Sequence, residues 1–498
     1  MLMRNFQLIC FFILLSVWPV TLFAQTENPA DNKIDLEEAV SLALENNFAL
    51  KQAKNNLTAA EVSLLSNRSD YLPDITGGFS GFRQTGQQFN NATGDFGDFT
   101  INGVNTNISA NYTVFDGLQR YNNIRSASYT SDAQSETVER VKEDIIFETA
   151  SAYLQVLLDK ELLLIAEENL EASRMQLEQV QAQVEVGSVP ISDLYNQQST
   201  VAQAELDVTN ANNSLRNSKV ILVRQLQIDP LQDYNFETPE LTGDKILPQN
   251  YELRSLVRVA LENRSDLQSQ EYTIQAAEHD LEAAKGTLYP TLSISARYST
   301  SFNDQTTQQQ LVTDQNGDPV INRNFVPVVD QNGNPVEDQF ILNTQPVFER
   351  VDVGLGQQFL TRNIQRNFGF NLNIPLFNTL DRRNNIQQQK ITYKNAQLEL
   401  ENTRLQVIQD VTQAYSDYVA VTEQLESTER ALQAAEKAYE TEQERYKVGA
   451  GTLIELTQAQ AQFVEAESNR VQAMYNFVFQ EKLINYYLGN LESNLSFK

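Results

Sequence analysis

The chain has 498 residues, 41% of them hydrophobic, and a formal net charge of −28. That acidic excess would repel nucleic-acid phosphates and anionic headgroups, so neither a nucleic-acid protein nor a basic membrane-surface binder is expected. One cysteine and one histidine leave little material for thiolate, metal or histidine-based chemistry.

The amino terminus reads as a targeting segment. Arg4 precedes an apolar run from Phe6 to Phe23, and Ala24 supplies the small residue at a cleavage point, giving a signal peptide over 1–24. Cys10 and Trp18 lie inside it, so the remaining chain would have no disulfide. After a linker, 25–34, Leu36, Ala39, Val40, Ala43 and Leu44 step by three or four and predict one helix over 36–71. Leu72-Pro73 stops it, because proline lacks an N–H and disfavours helix in the residue before it. A Gly-rich strand at about 75–83 and a polar loop follow. In the next strand, about 106–116, Ile108, Ala110, Tyr112 and Val114 alternate with Asn107, Ser109, Asn111 and Thr113. Asp116-Gly117 turns the chain into a long helix, 119–186. Val186-Gly187-Ser188-Val189-Pro190 breaks it, a shorter helix returns over 191–228, and 229–252 reads as an irregular connector.

The plan then repeats. Ala43-Leu44-Glu45-Asn46 recurs as Ala260-Leu261-Glu262-Asn263, and Pro73 as Pro290, both 217 residues on. Beyond the strands the offset is 262: Ala152-Tyr153 recurs as Ala414-Tyr415, and Val186-Gly187 as Val448-Gly449. The first repeat is thus 35–228 and the second 253–489, followed by a tail, 490–498. The second has helices 253–288, 381–448 and 453–488 and strands at about 291–302 and 366–376. Its extra 45 residues form an enlarged loop, 303–365, in which Asn316-Gly317 and Asn332-Gly333 mark tight turns.

Leu292, Ile294, Ala296 and Tyr298 alternate with Ser293, Ser295, Arg297 and Ser299, and Phe368, Phe370, Leu372 and Ile374 with Gly369, Asn371 and Asn373. Little else apolar could cover such a sheet, and the polar face suits a wet lumen, so the strands read as lipid-facing. Four strands cannot close a barrel, which needs about eight, and lipid tolerates no open edge, so the chain is expected to oligomerise. The two long helices would each rise about 100 Å and the other four about half that. Two short helices end to end then match one long one.

This duplicated plan resembles the TolC-like outer-membrane efflux channels over residues 35–489. The most specific marks are Tyr446-Lys447-Val448-Gly449-Ala450-Gly451-Thr452-Leu453 with Glu455, and Val184-Glu185-Val186-Gly187-Ser188-Val189-Pro190-Ile191 with Asp193. Corners at Leu72-Pro73, Tyr289-Pro290 and Ile374-Pro375-Leu376-Phe377 add to it. The resemblance implies an α+β membrane protein, a homotrimer whose subunits share a twelve-strand barrel in outer-membrane lipid and a long α-helical barrel in the periplasm. It implies a periplasmic adaptor (membrane fusion) protein and an inner-membrane pump of RND or ABC type as partners. Substrates would leave unchanged through a passive duct, with no cofactor and no catalysis. A channel for type I protein or peptide secretion fits the same pattern. A periplasmic coiled-coil adaptor or surface stalk fits less well, since an adaptor would show one helical hairpin rather than two copies with strand pairs.

Glycine at a helix C-terminus relieves the left-handed turn that a reversal demands, and Gly187 and Gly449 fit that role. Val186, Gly187, Ser188, Val189, Val448, Gly449, Ala450 and Leu453 are therefore expected at tips that meet the adaptor. The resemblance places Asp193 and Glu455, each six residues after a tip glycine, with Tyr446 at a periplasmic aperture. It also brings an arginine two residues after the second tip glycine, where this chain has Gly451. His279 reads as a surface helix position without a catalytic partner. Asp314-Gln315-Asn316-Gly317-Asp318 opens like a calcium loop but lacks the later bidentate Glu, and reads as polar extracellular loop.

Overall fold

The computed structural model describes residues 33–90, 95–237, 248–378 and 380–489. The expected signal peptide and the tail 490–498 lie outside the described residues. The chain divides into two units, one of Met1–Phe48, Lys142–Leu256 and Val411–Lys498, the other of Ala49–Val141 and Val257–Asp410.

Helices account for most of both. Asp35 accepts the N–H of Glu38 at 2.8 Å and starts α1 (Leu36–Asn46), with Glu37 and Glu38 at its electropositive end. Asn47 leaves the helical region at ψ 126°, and α2 (Phe48–Ser69) begins at once. The single helix expected over 36–71 is therefore two. The one expected over 253–288 divides in the same way, into α5 (Leu253–Asn263) and α6 (Ser265–Gly286), about Arg264 at ψ 125°. No glycine or proline marks either break, because tertiary partners hold them. At the first, Gln227 accepts the Phe48 N–H at 3.1 Å and Asn46 reaches the Leu226 carbonyl. At the second, buried Arg264 pairs with Asp266 at 2.6 Å and lies 3.9 Å from Asp410.

The long helices α3 (Gln119–Glu185) and α8 (Asp381–Lys447) have 67 residues each, and α4 (Ile191–Leu226) and α9 (Leu453–Tyr487) return from them. A leucine with φ 66° precedes each long helix, Leu118 and Leu380. In the first repeat Arg120 locks this corner. It bonds Asp116 at 2.8 Å and the carbonyls of Asp70 and Thr113, and lies 4.6 Å over the Tyr71 ring.

In the second unit, β2 (Asp74–Asn90), β3 (Asp95–Phe115), β5 (Thr291–Asn303) and β10 (Gln365–Asn373) make one antiparallel sheet, ordered β10-β5-β3-β2. β2 and β3 run well beyond the expected 75–83 and 106–116. Their ladder continues from Asp74↔Asn111 to Asn90↔Asp95, with Thr85 and Thr100 bonding across it, so polar residues read as loop are paired backbone. The register sets Phe370, Ile294 and Tyr112 in one row and Phe368, Ala296, Ala110 and Ile75 in the next. Phe79 and Phe370, at 77% and 79% exposure, show that no element of this chain covers the apolar rows. The enlarged loop holds two hairpin ladders. β6 (Thr307–Leu311) pairs with β9 (Phe348–Asp352), and β7 (Ile321–Val329) with β8 (Pro335–Pro346).

In the first unit, β1 (Lys33–Ile34) pairs in parallel with β4 (Asn235–Phe236), so the linker and the connector are not wholly irregular. Fully buried Tyr153 of α3 brings its hydroxyl to 2.9 Å from the Ile34 carbonyl and 2.7 Å from that of Glu237. Phe236 stands edge-on to its ring at 5.8 Å.

Candidate functional site

Each long helix ends in the same hydrogen-bonded cap. Gly187 donates to Val184 at 2.9 Å and Ser188 to Gln183 at 2.9 Å; Gly449 donates to Tyr446 at 3.1 Å and Ala450 to Arg445 at 2.8 Å. This pair of bonds closes a Schellman turn and satisfies carbonyls that the helix end would leave open. Both glycines have φ +75°, and a Cβ at either would meet nothing within 4 Å. Backbone handedness, not space, demands glycine there.

Outward from these caps stand Val186 and Val448, 80% and 75% exposed, with Ser188 and Ala450 also exposed and Val189 half-buried. Leu453 differs from expectation. It is only 4% exposed and packs inward beneath the turn, so it cannot be a surface contact.

The starts of the returning helices differ. Pro190 begins α4 without a side-chain cap, whereas Thr452 and Glu455 form a reciprocal capping box on α9. Glu455 accepts the Thr452 N–H at 2.9 Å, and Thr452 Oγ1 accepts the Glu455 N–H at 3.2 Å. Bonds from the Thr452 backbone, then its hydroxyl, and the charge of Arg445 hold the Glu455 carboxyl below its usual range. The carboxylate is thus engaged in starting its own helix.

Tyr446 joins the two caps. Its hydroxyl donates to Gln183 Oε1 at 2.9 Å, and burial followed by the nearby charge of Asp193 pushes its pKa up. Tyr446 and Asp193 are therefore brought together, while Glu455 is tied to Thr452. A second cation also reaches the turn. Arg445 grips both oxygens of Glu442 at 2.6 and 2.8 Å and stands 3.4 Å from the Ala450 carbonyl. A Cβ on Gly451 would press to 3.2 Å on Arg445 Cβ and 3.3 Å on the Tyr446 nitrogen, so the backbone of α8 occupies the room a side chain would need. Arg445 and Gln183 escaped sequence reasoning, since each is one polar residue among many on a long helix. Behind the turns, buried Gln197 donates to the Ser173 carbonyl at 3.0 Å and buried Gln460 to Asn169 at 2.9 Å, fastening α4 and α9 to α3.

The residues weighed for other chemistry have structural roles. His279 is half-buried rather than on the surface, bonded to Asn122 at 3.0 Å and stacked 5.6 Å from Tyr129. Asp314 accepts N–H groups of Asn316 and Asp318 at 2.8 and 2.9 Å, and Asp330 does the same for Asn332 and Asn334, so these carboxylates build turns. Among the described residues no group of three or more His, Cys, Asp or Glu could hold a metal ion.

An open antiparallel sheet with exposed aromatic rows, carried on the same chain as two glycine-capped helical hairpins, defines an outer-membrane channel-type protein. The family model for outer membrane efflux proteins matches residues 39–226 and 256–490, and the chain belongs to that family. It is 24% identical over 450 residues to CyaE of Bordetella pertussis, covering 89% of this chain and 82% of that one. TolC of Escherichia coli is 22% identical over 469 residues, 93% and 83% of the two chains. BepC of Brucella suis is 25% identical over 268 residues, a match spanning about half of each, 53% and 54%. The structure of CusC superposes with a TM-score of 0.72 at 17% identity over 92% of both chains. That of VceC from Vibrio cholerae gives 0.70 at 14% identity, over 91% and 96%. At these identities the two structures establish the fold alone. The chain is an outer-membrane efflux protein.

Proposed function

We propose that three copies of this chain close a twelve-strand barrel and form the passive exit duct of a tripartite efflux or secretion system. The carrying observation is the sheet β10-β5-β3-β2, whose outer strands β10 and β2 each have one neighbour. Unpaired N–H and C=O groups along an edge are not tolerated in hydrocarbon, and four strands are too few to close on themselves. Pairing β10 of one copy with β2 of the next satisfies both edges at once. The exposed residues Val186, Gly187, Ser188, Val448, Gly449 and Ala450, with half-buried Val189, then serve as contacts for a periplasmic adaptor that links the duct to an inner-membrane pump of RND or ABC type. Asp193 and Tyr446 line the periplasmic aperture, and Glu455 contributes its charge from the rim. Nothing in this role needs catalysis.

The test is fractionation followed by electrophoresis without heating. A trimer-sized species in the outer membrane that falls to monomer size on boiling is expected. An intact monomer in the soluble periplasm would end this reading.

A further inference from the structure

The two repeats differ where the chain passes the middle of each long helix in the first unit. In the first, residues after α4 turn at left-handed Gln227, φ 53°, and nine residues later deliver Phe236 to β4. There Phe236 packs on Tyr153, its carbonyl lies 3.5 Å from Lys160 Nζ, and β4 pairs with β1. In the second, α9 also ends at a left-handed residue, Gly489, φ 70°, 262 positions after Gln227. The stretch matching β1 is 250–251, and among the described residues no strand pairs with it. Tyr418 of α8 still reaches the passing backbone, 2.8 Å from the Gln249 nitrogen and 3.2 Å from its carbonyl oxygen, with Tyr251 edge-on at 5.1 Å. Beside it runs a groove of about 440 Å³, lined by Pro248, Thr422, Leu425, Glu426, Arg470 and Met474 among others. Thr422 is the counterpart of Lys160 at the 262-residue offset, so the groove opens where the first repeat holds Phe236.

We propose that residues 490–498, Asn-Leu-Glu-Ser-Asn-Leu-Ser-Phe-Lys, cross this groove and add a short strand beside 250–251. The length fits: nine residues follow Gly489, as nine lead from Gln227 to Phe236, and Phe497 falls within one position of the Phe236 counterpart. The chemistry fits as well. Leu495 and Phe497 match the apolar wall of Leu425 and Met474, and the uncapped backbone of 250–251 offers the hydrogen-bond edge that β1 offers β4. The inference stands on the internal repeat and is independent of the efflux reading.

The test uses the full chain in outer-membrane vesicles, with Cys10→Ser, Phe497→Cys and Met474→Cys combined, or Leu425→Cys in place of Met474→Cys. Oxidation is expected to give a disulfide within one chain, seen by mass spectrometry after mixing light and heavy copies. A disulfide only between copies would hand the groove to a second subunit and overturn the proposal. In parallel, Phe497→Ser in the uncrosslinked chain should raise amide exchange at 249–252 at least tenfold while leaving 33–36 unchanged. Exchange that does not move at 249–252 would also overturn it. Both readouts are independent of whether trimers form.

Discussion

The two helical turns, Glu185–Ile191 and Lys447–Leu453, match on one side and diverge on the other. Up to the second residue past each helix, the same two backbone bonds form around a glycine of the same φ. Beyond it, one returning helix starts on a bare proline and the other on a reciprocal Thr–Glu box. The reversal has one low-strain backbone solution, whereas a helix start has several equivalent ones. The shared half therefore carries the constraint, and the divergent half is where the turns can acquire different roles.

The harshest way to break the shared half is Gly449→Pro. It removes the N–H that bonds Tyr446 and forbids positive φ, costing about 3 kcal/mol or more at the turn. Efflux-dependent drug resistance of the cells should disappear while unheated electrophoresis still shows the oligomer. Next, Thr452→Ala should cost about 1 kcal/mol in local opening of α9, read by amide exchange at 453–456. No comparable change is available at Pro190, which has no cap to lose. The asymmetry also predicts a pH effect. The Glu455 carboxyl titrates lower in the folded turn than when free, so its stabilisation is complete above the free pKa, about 4.5, and is lost as pH falls through the folded value. The start of α9 should loosen in acid relative to that of α4, and Glu455→Gln should erase the difference. Tyr446→Phe removes the one bond between the caps, worth about 1 kcal/mol, and a double-mutant cycle with Gln183→Leu should recover most of that as coupling. Last, Val186→Ser and Val448→Ser should alter stability by no more than about 0.5 kcal/mol. Adaptor capture by the intact trimer should weaken in both, and equal capture would remove the valines from the docking surface.

Much of this architecture was legible because it rests on periodic signals. The 217- and 262-residue offsets align helix ends to within a residue or two, and the alternation of 106–116 lies within β3. The breaks at Asn47 and Arg264 were not legible, since neither residue interrupts the helical step and the partners that hold them lie far along the chain. Strands of two residues, such as Asn235–Phe236, are too short to alternate at all. At the turns, Gly187 and Gly449 announced themselves by type, because few residues tolerate that handedness. Leu453 did not, as its inward side depends on how α9 rolls against its neighbours. Arg445 became distinct only once the turn had folded it back toward Ala450.

Leu118 and Leu380 stand 262 residues apart, both half exposed or more and both twisted into the mirror-image region that costs an ordinary side chain about 1 kcal/mol. Glycine would relieve either one, and evolution has substituted it at neither. An identical blemish on both halves is most simply a family heirloom: it was present in the ancestral single-copy gene before duplication. That forebear carried two staves instead of four, and a ring of the same circumference would have needed twice as many of them.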